Sequence, residues 1–167
     1  MLDGSENMKR WRKRGLLAAV LVVIVAQFIP VPRTNPSVDA AQTINARITL
    51  PPEVSRAFER SCQDCHSNRT VWPWYSHVAP ASWLLARHVN QGRRELNFSE
   101  WGQYPARRRD RKLKEICEQV RRGEMPQTSY TLLHSQAKLS DQDKQAICAW
   151  TEAARKAIVA QAATPGG

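Results

Sequence analysis

Glycine is scarce, seven in 167 residues, and adjacent only in the terminal pair Gly166-Gly167, so the chain has no glycine-rich loop to cradle a nucleotide phosphate. No internal repeat is visible, which sets aside repeat arrays. Alternating β-branched residues occur only briefly, near Ile48 and Leu50, which disfavours a β-rich fold and the βαβ setting of a redox dithiol. There is one paired-cysteine motif and no second, leaving a four-ligand structural zinc site incomplete. Of three methionines, Met1, Met8 and Met125, only Met125 lies beyond the N-terminal tail.

What is present begins with charge. The formal net charge is +10, and part of it is the block Lys9, Arg10, Arg12, Lys13 and Arg14, set directly before an apolar run from Gly15 to Phe28. Basic residues beside an apolar segment hold that flank in the cytoplasm, so the chain beyond is expected to be exported. Gly15 to Val31 is at the short end of what spans a bilayer, and Pro30 and Pro32 prevent the helix from continuing. An uncleaved single-pass anchor is favoured over a cleaved signal, because the small-residue site Val38-Asp39-Ala40 lies well past the apolar run. The expected organisation is a basic cytoplasmic tail at 1–14, the anchor or signal at 15–31 and a linker at 32–47. A folded domain at 48–160 and a flexible tail at 161–167 follow.

The domain reads as all-α. Pro51 and Pro52 suit a first helical turn, and Val54, Phe58 and Cys62 recur at four-residue spacing. A second helix after Pro80 is expected to place Leu84, Leu85, His88 and Val89 on one face. A third, about 110–122, carries Leu113, Ile116, Cys117 and Val120 on one stripe, with Gly123 as its stop. Ser140 and Asp143 form a capping-box pattern before a last helix whose stripe is Ile147, Trp150, Ala154 and Ile158. Long connections are expected at 67–79 and 123–139. A core of this size is small, so a bulky apolar cofactor would be a large share of the buried surface.

Cys62-Gln63-Asp64-Cys65-His66 is the most specific signal. Two thiols separated by two residues can add across the two vinyl groups of one haem, and the adjacent histidine then lies below the iron as its proximal ligand. An export signal upstream is what covalent attachment requires in bacteria. Direct bonding of Cys62 to Cys65 would close a strained small loop.

The second axial position has several candidates. Met125 lies in Gly123-Glu124-Met125-Pro126, a turn from which a thioether can reach iron without distorting a helix. His/Met ligation closes the coordination sphere, which suits electron transfer. A core gap-filler is the competing reading of Met125. His88 is the next candidate, although a histidine on an apolar face is more often a core residue or a propionate partner. His77 and His134 have smaller claims.

The stretch CQDCHSNRTVWPWYSHVAPASWLLARHV, then NFSEW, GEMP and LLHSQAKLSDQDKQAICAWT, resembles the bacterial haem-binding domain family with a C-x-x-C-H motif, over roughly 48–160. That resemblance implies a small periplasmic domain, often behind one membrane segment. There is a looser similarity to class I cytochromes c. It implies thioether roles for Cys62 and Cys65, a proximal role for His66 and a distal role for Met125. The aromatic segment Val71–Trp83 departs from those cytochromes.

Trp72, Trp74, Tyr75 and Trp83 suit either water exclusion beside a haem or plain core packing. Cys117 and Cys148 could staple the third and last helices by a disulfide, or remain two buried thiols. Arg107, Arg108, Arg109, Arg111, Lys112 and Lys114 read as a solvated helix start. The alternative is a patch steering an acidic redox partner, haem propionates or lipid headgroups. Nucleic acid is not an expected partner. The expectation is thus one covalent haem c in a periplasmic domain at the bacterial inner membrane. It would carry single electrons to an unidentified redox partner protein rather than act as an enzyme. The rival reading is a haem-based sensor or peroxidase-like protein with an open or displaceable distal site.

Overall fold

The structure is a computed structural model that describes residues 3–163, and the side chains of 7–161. The chain is all-helical, with no strand among the described residues. Its α-helices are α1 (Asp3–Ala26), α2 (Ile44–Arg47), α3 (Pro52–Ser61), α4 (Gln63–His66), α5 (Ala81–Glu95), α6 (Ala106–Arg121), α7 (Thr128–Leu133) and α8 (Asp141–Ala163). Short 3₁₀ turns fill several connections, including Trp74–His77 and Phe98–Gln103. Of the tail expected over 161–167, residues up to Ala163 continue α8, and 164–167 lie outside the described residues.

Two compact units are distinguishable: residues up to Thr34 with Trp72–His88, and Asn35–Val71 with the chain from Val89 onward. The second holds the main core. Phe58 stacks on Phe98 with ring centroids 4.9 Å apart and meets Trp150 edge-on at 5.5 Å. Val54, Leu113, Trp101 and Ile147 are fully buried around them. Ile44, from the stretch whose composition reads as a linker, is buried in the same core. Helix α6 packs along α8, and Cys117 and Cys148 are joined by a disulfide between them.

The local signals work as their chemistry dictates. Pro52 opens α3, which runs to Ser61 with Cys62 as its C-terminal cap. Gly123 has a φ of 69°, and the amides of Gly123 and Glu124 close on the carbonyls of Val120 and Gln119. A left-handed residue of this kind satisfies the last carbonyls of α6 and ends it. Ser140 N–H donates to Asp143 Oδ2 at 2.8 Å, and Asp143 N–H donates back to Ser140 Oγ at 3.1 Å, a reciprocal capping box opening α8. Arg60 of α3 also donates to Asp143. Partial burial pushes the Asp143 carboxyl up, but hydrogen bonds from Arg60 and Ser140 and the Arg60 charge outweigh it and hold the carboxyl below its ordinary range. A lowered folded-state pKa gives stability that is complete above the unfolded value and is lost as pH falls through the folded one. Asp143→Asn is therefore expected to flatten the acid limb of a plot of unfolding free energy against pH; an unchanged limb would remove this ion pair from the account.

Three expectations need correcting. The apolar run is expected to be one span from Gly15 to Val31, but α1 ends at Ala26. Its helical apolar part, 15–26, is about 18 Å long at 1.5 Å per residue, short of a hydrocarbon core of about 30 Å. Among the described residues no helix is long and apolar enough to cross a membrane. The physical reason lies at Gln27, whose side-chain amide donates to Val23 O and Ala79 O and accepts from Ala79 N–H.

The apolar face of α5 is the second correction. Leu84 is exposed, and the buried positions are Ser82, Ala86 and Val89; His88 is only half-buried. Thirdly, the connection after Gly123 is not a plain loop, because α7 and a 3₁₀ turn at Ser135–Ala137 occupy much of it.

Candidate haem site

Helix α3 delivers the chain directly into the cysteine motif. Cys62 N–H bonds Phe58 O to finish α3, and both Cys65 N–H and His66 N–H return to Cys62 O. The single turn α4 thus carries Cys65 and His66, with Cys62 at its cap. Both thiols are free and half-buried. Burial, then the neighbouring Cys65, pushes the Cys62 thiol up to about 12 against the Arg60 charge. Burial and Asp64 push Cys65 to about 11 against Arg93. Disulfide oxidoreductases lower the pKa of the attacking cysteine; here the environment acts in the opposite direction.

His66 is held from the other side by α5. Its Nδ1 lies 3.1 Å from Gly92 O and 3.1 Å from Leu96 O. Carbonyls only accept, so Nδ1 carries the proton and Nε2 is left with its lone pair. No hydrogen bond among the described residues engages Nε2. The acceptors sit at the C-terminal end of α5, where helix carbonyls carry partial negative charge; Gly92 O also accepts from Leu96 N–H at 2.9 Å. Burial lowers the imidazole pKa against those two bonds, which raise it. The outcome is a neutral ring held in one orientation, with Nε2 directed away from its hydrogen bonds, as a metal-ligating histidine requires.

This approach depends on Gly92. A Cβ there would lie 2.4 Å from Cys65 O and 3.2 Å from Cys65 Cβ. Only glycine lets the α5 backbone lie against the motif this closely.

The loop after His66 is fastened by a polar clamp. Arg93 donates to Ser67 O at 2.8 Å, Thr70 Oγ1 at 2.8 Å and Asn35 Oδ1 at 2.7 Å. Thr70 Oγ1 donates to Asp64 O at 2.6 Å. Buried Asn97 donates to Asn68 Oδ1 at 2.8 Å. Asp64 itself joins two segments: Oδ1 accepts from Val71 N–H at 2.9 Å and Oδ2 from Tyr130 OH at 2.7 Å. Sequence reasoning missed Asp64, Gly92, Arg93, Asn97 and Tyr130. Asp64 was visible inside the motif, but its partners are far along the chain.

Met125 is half-buried in the turn after α6, just upstream of the α7 helix whose Tyr130 binds Asp64. His134 stacks on Tyr130 with centroids 4.2 Å apart, and its Nδ1 is 3.2 Å from Tyr130 O. His77 is exposed and His88 half-buried; both belong to the other unit. Trp74 is also exposed, so plain core packing does not account for it. The basic run is largely engaged. Lys112 is buried against Glu115, Lys114 pairs with Glu118, Arg111 with Glu115, and Arg108 lies over the Tyr104 ring.

The donor set fits a haem. A neutral imidazole with a committed Nδ1 and two adjacent free thiols share one turn. Three large apolar side chains, Val71, Leu132 and Leu133, stay exposed on segments at or next to those fastened to Asp64. The profile of a family described as haem-binding domain matches residues 21–153. No curated protein and no solved structure matches the chain.

Proposed function

The chain belongs to the haem-binding domain family, and from that premise we propose that it is a one-electron carrier with a single haem c held outside the bacterial cytosol at the inner membrane. The observation that carries this reading is His66, whose Nδ1 is committed to the carbonyls of Gly92 in α5 and of Leu96 just beyond it, beside the Cys62 and Cys65 thiols. Cys62 and Cys65 would hold the group through thioethers, and His66 Nε2 would ligate its iron. Met125 would supply the sixth ligand. When bound, the haem supplies an iron that accepts and returns one electron.

The protein's part is to orient and to exclude. The Gly92 and Leu96 carbonyls fix the His66 tautomer, the Arg93 clamp holds the loop that follows, and Val71, Leu132 and Leu133 offer apolar cover. The Cys117–Cys148 disulfide supports an oxidising compartment, because such bonds are rare in the cytosol. The basic block before an exposed apolar helix supports membrane association through α1.

The test is the absorption spectrum of the purified holoprotein, ferric and reduced, beside Met125→Ala. The expected result is a thioether-type haem spectrum whose weak far-red methionine-to-iron band disappears in the variant. A spectrum that ignores the substitution, together with tight carbon monoxide binding by the unmutated protein, would overturn the carrier reading in favour of a sensor with an open site.

A further inference from the structure

Within the N-terminal unit, the aromatic segment and α1 are joined where the apolar run ends. The Gln27 amide grips both sides of the Ala79 residue, donating to its carbonyl at 3.2 Å and accepting from its N–H at 2.9 Å. Arg33 Nη1 donates to Ser76 O at 3.0 Å. These bonds hold the 3₁₀ turn Trp74–His77 and the start of α5 beside residues 27–33.

Both partners of this junction expose apolar side chains. Trp74 is 78% exposed, Leu84 51% and Val78 45%, and on the α1 side Phe28 is 80% and Ile29 56% exposed. Along α1 itself Leu16, Leu17, Val20, Leu21, Val22 and Ile24 are all exposed. Consecutive positions on a helix point in every direction, so this is not one apolar stripe seeking a protein groove. An apolar helix bare on all sides needs apolar surroundings on every side, which lipid supplies. Trp74, in the turn held beside the end of this helix, is of the residue type enriched at the level of the headgroups. Charge agrees: from residue 7 to 38, and again from 72 to 88, there is no Asp or Glu, while Arg33 and Arg87 are basic. An anionic lipid surface therefore meets no like charge in either stretch.

We propose that Trp74, Val78 and Leu84, held beside Phe28 and Ile29 by Gln27 and Arg33, form a second membrane contact that enters the headgroup layer of an anionic bilayer. The inference rests on the membrane association of α1 and extends it from a helix to a platform. It also gives Gln27 a reason to close an apolar run: its amide is spent on the Ala79 backbone rather than left bare beside lipid.

The experiment places a nitroxide at Trp74→Cys, Val78→Cys or Leu21→Cys in the full-length holoprotein, with the parent chain as labelling control. Each sample is mixed with vesicles of phosphatidylethanolamine and phosphatidylglycerol. Relaxation by oxygen, which concentrates in lipid, is compared with relaxation by a water-soluble nickel chelate. The expected result is oxygen-dominated relaxation at Leu21 and a mixed, interfacial value at 74 and 78, both shifted from their values without vesicles. Lipid exposure at Leu21 with fully aqueous values at 74 and 78 overturns the platform and leaves the α1 reading standing. Aqueous values at all three sites overturn both.

Discussion

Replacing Gly92 by alanine is expected to lower the unfolding free energy of the holoprotein by about 1–3 kcal/mol, the cost of overpacking a tight contact. The sign is the informative part. Alanine is a better helix former than glycine by roughly 1 kcal/mol, so at an unconstrained position in α5 the change would stabilise. Here the added Cβ would fall 2.4 Å from Cys65 O and 3.0 Å from Cys65 C. Both are backbone atoms in a turn closed by hydrogen bonds to Cys62 O, so they cannot yield as a side chain would. Helix α5 must back away, and with it the Gly92 and Leu96 carbonyls that orient His66. A lower denaturation midpoint together with a shifted haem reduction potential is the expected pair of results. A raised midpoint would show that α5 does not lie against the motif.

Removing the disulfide has an expected effect of similar or greater size. Cys117 and Cys148 are 31 residues apart in the chain, and closing a loop of that length in the unfolded state is worth about 3–4 kcal/mol in the chain-entropy account. The bond links α6 to α8, the pair of helices that walls one side of the core around Leu113 and Ile147. Cys117→Ala with Cys148→Ala should lower the unfolding free energy by that amount, and the denaturant midpoint with it, without changing the haem spectrum. Dithiothreitol should shift the unmutated protein toward the same midpoint. An unmutated protein indifferent to reductant would mean the bond is not formed in the mature chain, and would weaken the case for export.

Much of the helical framework was legible because its signals act between near neighbours. The Ser140–Asp143 capping box, the Gly123 stop and the Val54–Phe58 spacing each need only a turn or two of chain. The α5 stripe was misread for an instructive reason. Val89 is buried as read, but Leu84 is exposed, and the other inward positions are the small Ser82 and Ala86. Where a helix approaches closely, small side chains mark the contact, and a reading weighted by apolar size passes over them. The stretch before Pro51, read from its Pro, Ser and Thr content, contributes Ile44 to the core, since a composition average hides one well-placed side chain.

By itself the sequence determined the all-α class and the helix caps, and it singled out Cys62, Cys65 and His66 as the candidate haem-binding set. These depend on spacing along the backbone, which geometry converts directly into a turn. It left open whether Cys117 and Cys148 are bonded. Only the tertiary structure decided that, together with which carbonyls hold His66, why residue 92 must be glycine, and how Asp64 reaches Tyr130. The acceptors of His66 are 26 and 30 residues away, and Tyr130 is 66 residues from Asp64. Contacts over such distances follow from how whole helices pack. No local propensity encodes them, because the same residues in isolation would be satisfied by water.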